Sequence, residues 1–185
     1  KKRYPSVFDN PIYMEGYLNI KIGGFYKLLS PFFNLFNIFP YKSQNNVPTR
    51  VKIIKGKNND VIMKRTIYYK DSDPFEFVTK FTHYQNNVVY KTLKFGLTVK
   101  LNFQYDNNMV IINSEGYFLG KHFIPLGNFF GNCKVIEKPI DTNSFDMELC
   151  VGNSLGVICC EGRFEMADED DKNKRIMIFA SYMAL

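Results

Sequence analysis

The sequence predicts a mainly β fold: an antiparallel meander that curves into a barrel or half-barrel, with a short apolar helix near its start. Three observations lead to this prediction. Aromatic residues are abundant, with 18 phenylalanines and 12 tyrosines among 185 residues, and such residues favour strands. After Pro40, apolar and polar side chains alternate with a period of two, which is typical of strands with one buried face. Polar turn residues interrupt this alternation about every eight to twelve residues.

The chain length indicates one domain. A chain of 185 residues, 45% of them hydrophobic, can bury a sizeable core, so we expect a single domain over residues 1–185. Within it we place the helical cap at about residues 23–39 and the sheet at about residues 47–183, following the change of period from helical to two-residue spacing.

The first predicted element is the apolar stretch Gly23–Phe39, in which large side chains recur at three- and four-residue spacings. This spacing predicts an amphipathic helix with a wide apolar face. Pro31 should kink this helix or divide it into two short ones, because proline lacks the N–H donor. We interpret the segment as a cap or plug of the sheet. A membrane-surface helix would carry many basic residues, and only Lys21 and Lys27 are present.

A series of strand signals follows the helix. Asparagine pairs and the Asp71–Pro74 segment separate the strands and favour tight hairpin turns, because asparagine tolerates a left-handed backbone. The alternation is clearest in Thr98–Tyr105, where every second side chain is apolar. The candidate strands are Thr49–Lys55, Val61–Lys70, Phe75–Tyr84, Val88–Lys94, Thr98–Tyr105, Met109–Tyr117, Lys134–Pro139, Ser144–Cys150, Gly156–Phe164 and Arg175–Tyr182.

Consecutive hairpins form a meander, and a meander of about eight to ten strands closes or bends strongly, because an open sheet leaves a long unpaired edge. The expected barrel is lipocalin-like, with an interior that is filled by side chains or holds one small ligand. The segment Gly116–Phe130 is rich in glycine, proline and aromatic residues. We interpret it as a loop that folds over the barrel mouth or against the helix.

The net charge of +6 and the pI near 9.0 arise from scattered basic residues. Lysines such as Lys91, Lys94 and Lys100 are interpreted as parts of solvated strand faces. Basic and aromatic residues form no contiguous run, so no nucleic-acid partner is expected. No stretch reaches the roughly 18 apolar residues of a transmembrane segment, and no secretory signal is visible. We therefore expect a soluble protein, cytoplasmic or secreted after removal of an N-terminal segment.

The four cysteines lack the spacing and the paired histidines of a zinc site, so we expect neither a metal nor another cofactor. Cys159 and Cys160 are adjacent on a predicted strand and should point to opposite faces, one packed inside and the other meeting solvent or another cysteine. A disulfide between Cys150 and Cys159 requires that their strands be neighbours.

The candidate histidine for acid–base chemistry is His122, which lies in the aromatic segment. Asp146, Glu148 and Glu161 are its candidate carboxylate partners, and catalysis would require them to converge in one cavity. The alternative interpretation is that His122 is simply exposed. No nucleophile motif accompanies it.

Several short motifs occur in a defined order between Gly16 and Phe164. They are GGFYKLLSPFF, VPTRVKI, MKR, LKFGL, GYF, IPL, LG and EGRF. Through this shared order the chain resembles the domain of unknown function 4166, a bacterial domain often joined to saccharopine-dehydrogenase-like reductases or YndJ-like membrane proteins. The chain departs from that family at Met63, where a tryptophan is expected, and at Lys91, near where many members carry a glutamate. The resemblance implies a fold and no mechanism.

The sequence favours a noncatalytic binding module that holds a small hydrophobic or amphipathic, lipid-like molecule inside the curved sheet. Arg65 and Arg163 would contact a ligand carboxylate or phosphate, unless they are exposed or internally paired. One alternative is an enzyme of the isomerase or cyclase type acting on a lipid-like or small apolar substrate, and another is a protein-interaction domain. The residues expected to line the site are Phe33, Arg65, Tyr90, Phe103, Tyr117, His122, Phe123 and Arg163.

Overall fold

A computed structural model describes residues 11–36, 39–57, 60–85, 87–120, 122–124 and 131–167 of this chain. In this part of the chain all the strands form one antiparallel sheet. The strands are β1 (Ile12–Gly24), β2 (Gln44–Lys55), β3 (Val61–Ile67), β4 (Phe75–Gln85), β5 (Val88–Thr92), β6 (Leu97–Asp106), β7 (Met109–Leu119), β8 (His122–Ile124), β9 (Asn132–Pro139), β10 (Ser144–Asn153) and β11 (Gly156–Met166).

The sheet closes into a ten-stranded barrel. Strands β1 to β7 pair in sequence order, β7 pairs with β9, and β9, β10 and β11 continue the ring until β11 pairs with β1. Strand β8 lies outside the ring and pairs with the last residues of β7. This pairing confirms the predicted closure of the meander. Closure leaves no unpaired edge in the ring.

Two short helices, α1 (Phe25–Leu28) and α2 (Ser30–Phe36), connect β1 to β2. Their separation confirms the predicted division of the apolar helix, and Pro31 lies in the first turn of α2, where its missing N–H leaves no hydrogen bond unmade. Gly24 turns the chain from β1 into α1 with a φ of 60°, a value that favours glycine. Helix α1 packs against β1 and β11, and Tyr26 is buried in the common core.

Side chains from alternating positions of the strands fill the barrel interior. In β6 the side chains of Val99, Leu101 and Phe103 are all buried, as the two-residue period predicted. The same strand leaves the core at its end, where Tyr105 is 58% exposed. The core thus combines side chains from every strand of the ring with Tyr26 and Phe33 of the helical connection.

Some local predictions differ from the structure, and others concern residues outside the described part of the chain. Strand β1 was not predicted, although it pairs with both β2 and β11 and completes the ring. The segment interpreted as the loop Gly116–Phe130 begins as strand, because β7 continues to Leu119 and β8 follows. Residues 125–130 and the candidate strand Arg175–Tyr182 lie outside the described residues.

Cys150 and Cys159 form a disulfide between β10 and β11, where they are directly paired with their Cα atoms 4.2 Å apart. This pairing meets the condition set by the sequence, that the two strands be neighbours. Cys160, the next residue, is buried in the interior, so the predicted division of the adjacent cysteines between opposite faces is confirmed.

Candidate functional site

The barrel interior contains charged side chains at positions where the alternation calls for apolar ones. In β3, Arg65 occupies an inward position two residues after buried Met63. In β5, Lys91 follows buried Val89 by two residues. Since side chains two residues apart in a strand point to the same face, both cations face inward. The expectation that Lys91 lies on a solvated strand face is therefore wrong.

A carboxylate also faces the barrel interior near these two cations. Glu137 in β9 follows Val135 by two residues, and its neighbours across the sheet are buried Val110 and Met147. Together with Cys133 it belongs to the inward row of β9. In this part of the interior, the described residues therefore include two cations and one carboxylate within an otherwise mostly apolar wall.

These polar side chains surround one small cavity of about 60 Å³. Its wall is formed by β3, β4, β5, β6, β7, β9 and β10, so it lies within the ring of strands. The lining residues are Met63, Arg65, Phe81, Lys91, Leu101, Phe103, Val110, Ile112, Cys133, Val135, Glu137 and Leu149. The volume corresponds to about two water molecules in the liquid.

The cations contact aromatic rings. The Arg65 guanidinium lies 5.5 Å from the centre of the Phe77 ring, and the Lys91 ammonium lies 6.0 Å from the centre of the Phe81 ring. The faces of aromatic rings attract cations, and this attraction strengthens where water is excluded. Ring contacts thus help these strands tolerate inward-facing charges.

Burial lowers the pKa of Lys91 to about 8, and the neighbouring positive charge of Arg65 contributes in the same direction. Both effects disfavour the charged ammonium relative to the neutral amine. Within the described part of the chain Lys91 has no hydrogen bond or ion pair that would oppose them. Its amine is therefore partly neutral near physiological pH.

Glu137 shows the opposite shift for the same physical reason. Burial raises the pKa of the Glu137 carboxyl to about 7, while the positive charge of Arg65 works against this rise. Among the described residues, no hydrogen-bond or ion-pair partner to its carboxylate is found. Arg65 thus acts electrostatically on both Glu137 and Lys91 and lies at the electrostatic centre of the cluster.

The structure places the eight residues predicted from the sequence in three environments. Arg65 and Phe103 line the cavity. Tyr117 and Phe33 are buried elsewhere in the core: the Tyr117 hydroxyl donates a 2.9 Å hydrogen bond to the carbonyl of Gly131, and Phe33 packs on the ring of Tyr26.

The other four residues lie on the outer wall. Tyr90 packs edge-on against Phe118, and Phe118 contacts Phe123, which is exposed. His122 is exposed in β8. Arg163 is also exposed, and its Nε donates a 2.9 Å hydrogen bond to Asp146. The structure therefore does not gather these residues around the interior cavity.

The predicted acid–base group is likewise dispersed over the outside of the barrel. Asp146 is bound to Arg163 across β10 and β11, and Glu148 and Glu161 are exposed on those strands. None of these carboxylates lines the interior cavity. Convergence of His122 with a carboxylate inside the barrel is therefore not found among the described residues.

An open groove of about 490 Å³ on the outer wall between β1, β2 and β11 is the larger concave surface. Its two arginines are neutralised: Arg50 donates a 2.7 Å hydrogen bond to Glu15, and Arg163 pairs with Asp146. These ion pairs leave little uncompensated positive charge in the groove for a ligand. We therefore locate the candidate site in the interior, where Lys91 has no ion-pair partner among the described residues.

Sequence reasoning missed Lys91 and Glu137. The signal was present, because each is two residues from an apolar residue of the same strand, Val89 and Val135. Charged residues in alternating segments usually point outward, so Lys91 was interpreted as solvated although its position in the alternation is inward.

Other classes of site receive no support in the described residues. No group of three or more histidine, cysteine, aspartate or glutamate side chains there could hold a metal ion. None of the helices in the same part of the chain has the length and apolar character needed to span a membrane.

No protein-family model matches the chain. No curated protein sequence matches it significantly either. The resemblance to the domain of unknown function 4166 therefore stays a prediction.

Proposed function

We propose that this protein binds a small amphipathic, lipid-like anion in the barrel interior, without catalysing its conversion. The observation that supports this proposal is that two cations, Arg65 and Lys91, and a carboxylate, Glu137, line one cavity. At neutral pH these three groups carry a net positive charge of about one, since Lys91 is mostly protonated and Glu137 about half ionised. An anionic head group is complementary to this charge.

The desolvation of Lys91 favours an anion further. Burial of its ammonium costs free energy, which a charge-assisted hydrogen bond to a ligand carboxylate or phosphate offsets. The remaining wall of the cavity, including Leu101 and Phe103, is apolar and suits the tail of an amphipathic molecule.

The cavity volume limits the size of this ligand. About 60 Å³ accommodates a head group and little more, whereas pockets for drug-sized ligands measure roughly 300–1,000 Å³. A short carboxylate therefore fits with little change, and a long acyl chain requires side chains of the wall to move. Affinity measured along a series of chain lengths distinguishes these two modes.

The test is titration of the purified chain with straight-chain carboxylates from butyrate to laurate, followed by calorimetry and by native mass spectrometry before and after organic extraction. We expect one bound carboxylate per chain. The matched variants are Lys91→Met and Lys52→Met, since each removes a strand lysine that lies over an aromatic ring, Phe81 inside the barrel and Tyr13 outside it. Affinity should fall about tenfold in the first variant and stay unchanged in the second.

Absence of saturable binding by any carboxylate would contradict the proposal. Equal affinity of the two lysine variants would place the bound anion outside the barrel interior. A folded far-ultraviolet spectrum for both variants is required before either result is interpreted.

A second candidate function is carbonyl chemistry at Lys91, favoured by the presence of an amine and a carboxyl group in the same cavity. The neutral amine adds to the carbonyl carbon of a small aldehyde. The carbinolamine then loses its oxygen as water and becomes an iminium ion. Neutral Glu137 would supply the proton that leaves with this oxygen. A pKa of about 8 leaves about one-tenth of Lys91 neutral at pH 7, against less than one-thousandth for an ordinary lysine.

Trapping tests this second candidate. The chain is incubated with butanal and cyanoborohydride at neutral pH, and alkylated lysines are located by peptide mass spectrometry. We expect alkylation of Lys91 to exceed that of Lys52 many-fold. Equal alkylation of Lys91 and the surface lysines would contradict this second candidate function.

A further inference from the structure

The two ends of the barrel differ in their connections. Because the strands alternate in direction, the connections that follow β1, β3, β5, β7 and β10 lie at one end, which we call the helical end. Those that follow β2, β4, β6 and β9 lie at the other, which we call the hairpin end. Side chains far apart in sequence are therefore neighbours around each rim.

Large apolar side chains are exposed around the helical end. They come from both helices, from the turn between β5 and β6 and from the turn between β10 and β11. Their exposed fractions range from 46% to 76%. These residues are Leu28, Phe32, Leu35, Phe95 and Leu155.

The helical connection is apolar on two sides. Tyr26 and Phe33 point into the core, where both are 1% exposed. Leu28 and Leu35 are each 76% exposed, and with Phe32 they recur at spacings of four and three residues. A surface helix normally turns polar residues toward water, whereas α2 turns Phe32 and Leu35 toward it.

Phe95 provides an independent observation. It lies in the turn between β5 and β6 with φ 59° and ψ 20°, and 70% of its surface is exposed. Bulky residues rarely adopt this left-handed conformation, and asparagine or glycine would do so at lower cost. Phe95 thus places an exposed aromatic side chain, in a turn that would favour asparagine or glycine, at the same end of the barrel as the helices.

Basic residues accompany these apolar side chains. Lys27, Lys42, Lys70 and Lys94 are all exposed in the connections of the helical end, where the described acidic residues are Asp71 and Asp73. In the connections of the hairpin end, Lys57 is exposed together with Asp141, and Asp60 is buried in an ion pair with Lys80. The helical end is thus the more basic of the two ends, as well as the more apolar.

We propose that the helical end docks on the surface of an anionic lipid bilayer. Separate apolar side chains on neighbouring turns suit insertion between lipid head groups to a depth of roughly 5–10 Å. Lysines near an anionic membrane surface add electrostatic attraction. Charge complementarity is the reason to favour a bilayer over a protein partner. This docking does not depend on a ligand in the barrel interior.

The test is co-sedimentation of the full chain with vesicles of phosphatidylcholine alone and with vesicles that also contain phosphatidylserine. We expect binding to the second kind and its loss in high salt, because salt screens the lysines. The variants Phe95→Asn and Leu28→Gln should each lower the partition coefficient about tenfold, since each removes one inserted apolar side chain. Asparagine adopts the left-handed backbone of position 95 at lower cost than phenylalanine, so this variant should fold.

Ile140→Gln at the hairpin end is the matched control, because Ile140 is also apolar and 45% exposed. It should bind vesicles as the unmodified chain does. The proposal is overturned if all three variants bind equally. It is also overturned if vesicles are not bound at all and the same two substitutions abolish self-association in size-exclusion chromatography, because the helical end is then an interface between protein chains.

Discussion

The ammonium of Lys91 lies 6.0 Å from the centre of the Phe81 ring inside the barrel, and the two residues are directly paired between β5 and β4. The ring face replaces only part of the hydration that the ammonium loses on burial. The pKa of Lys91 accordingly falls to about 8. An anion in the cavity would reverse this shift, because it stabilises the charged form.

Binding of a carboxylate probe should depend on pH in two steps. As pH falls through about 8, Lys91 gains a proton and a positive charge, and as pH falls through about 7, Glu137 loses its negative charge. Both changes favour an anion, so affinity should rise from alkaline to mildly acid pH. Calorimetric titration with octanoate measures it. Lys91→Met should remove the upper step and Glu137→Gln the lower one, and an affinity independent of pH would contradict this assignment.

Replacement of Arg65 by Met should raise two pKa values at once. The positive charge of Arg65 lowers the pKa of both Glu137 and Lys91, so its removal favours the protonated form of each. Nuclear magnetic resonance titration of labelled carboxyl and amino groups measures both. Opposite shifts of the two groups would show that rearrangement of the cavity outweighs the lost charge. Arg50→Met on the outer wall is the control and should leave both values unchanged.

Glu137 makes folding stability depend on pH. Its pKa is raised from 4.5 in the unfolded chain to about 7 in the folded one, so the folded state binds more protons between these values. The free energy of unfolding should therefore fall as pH rises from about 4.5 to 7. Glu137→Gln should remove this dependence and stabilise the chain above pH 7 by roughly 1–3 kcal/mol. Urea unfolding at several pH values measures it, and a less stable variant above pH 7 would contradict the expectation.

The disulfide between Cys150 and Cys159 should contribute to stability. It closes a short loop, with a sequence separation of 9 residues, and so restricts the unfolded chain by about 2–3 kcal/mol. The double variant Cys150→Ser/Cys159→Ser should unfold at a lower temperature. Reductant should lower the melting temperature of the unmodified chain toward that of the variant and leave the variant unchanged. If reductant has no effect on the unmodified chain, the two cysteines are not joined in solution.

The remaining thiols should be unreactive in the folded chain. Burial raises the pKa of Cys133, and it raises the pKa of Cys160 to about 12, so little reactive thiolate forms at neutral pH. A thiol reagent at neutral pH should label neither cysteine until the chain is denatured. Rapid labelling of Cys133 in the native chain would show that solvent enters the cavity freely, and mass spectrometry identifies the labelled residue.

Much of the fold could be predicted because its signals are local. The alternation in Thr98–Tyr105 and the turn at Asn107 and Asn108 depend only on neighbouring residues, and both agree with the structure. Strand β1 alternates in the same way, with Ile12, Leu18 and Ile20 all inward, yet it precedes the helices and was missed. Its role also depends on partners more than twenty positions away in β2 and over a hundred away in β11.

The candidate site was less predictable than the fold. The sequence singled out Arg65 and Phe103, which line the cavity, but it interpreted Lys91 as solvated and passed over Glu137. Alternation tells which residues of one strand share a face, but it does not say which face is inside when a charged residue lies among apolar ones. That choice is fixed by the burial of the whole strand, here by Val89 and Val135.

The sequence by itself determined a β-rich meander with a divided apolar helix, because periodicity, turn residues and proline act within a few positions along the chain. Only the tertiary structure decided that Arg65, Lys91 and Glu137 share one cavity, and that Leu28, Phe95 and Leu155 lie on one rim. The physical reason is the closure of the sheet. Closure converts residues from distant strands into neighbours, and the pKa values and surface properties of those residues depend on their neighbours in space.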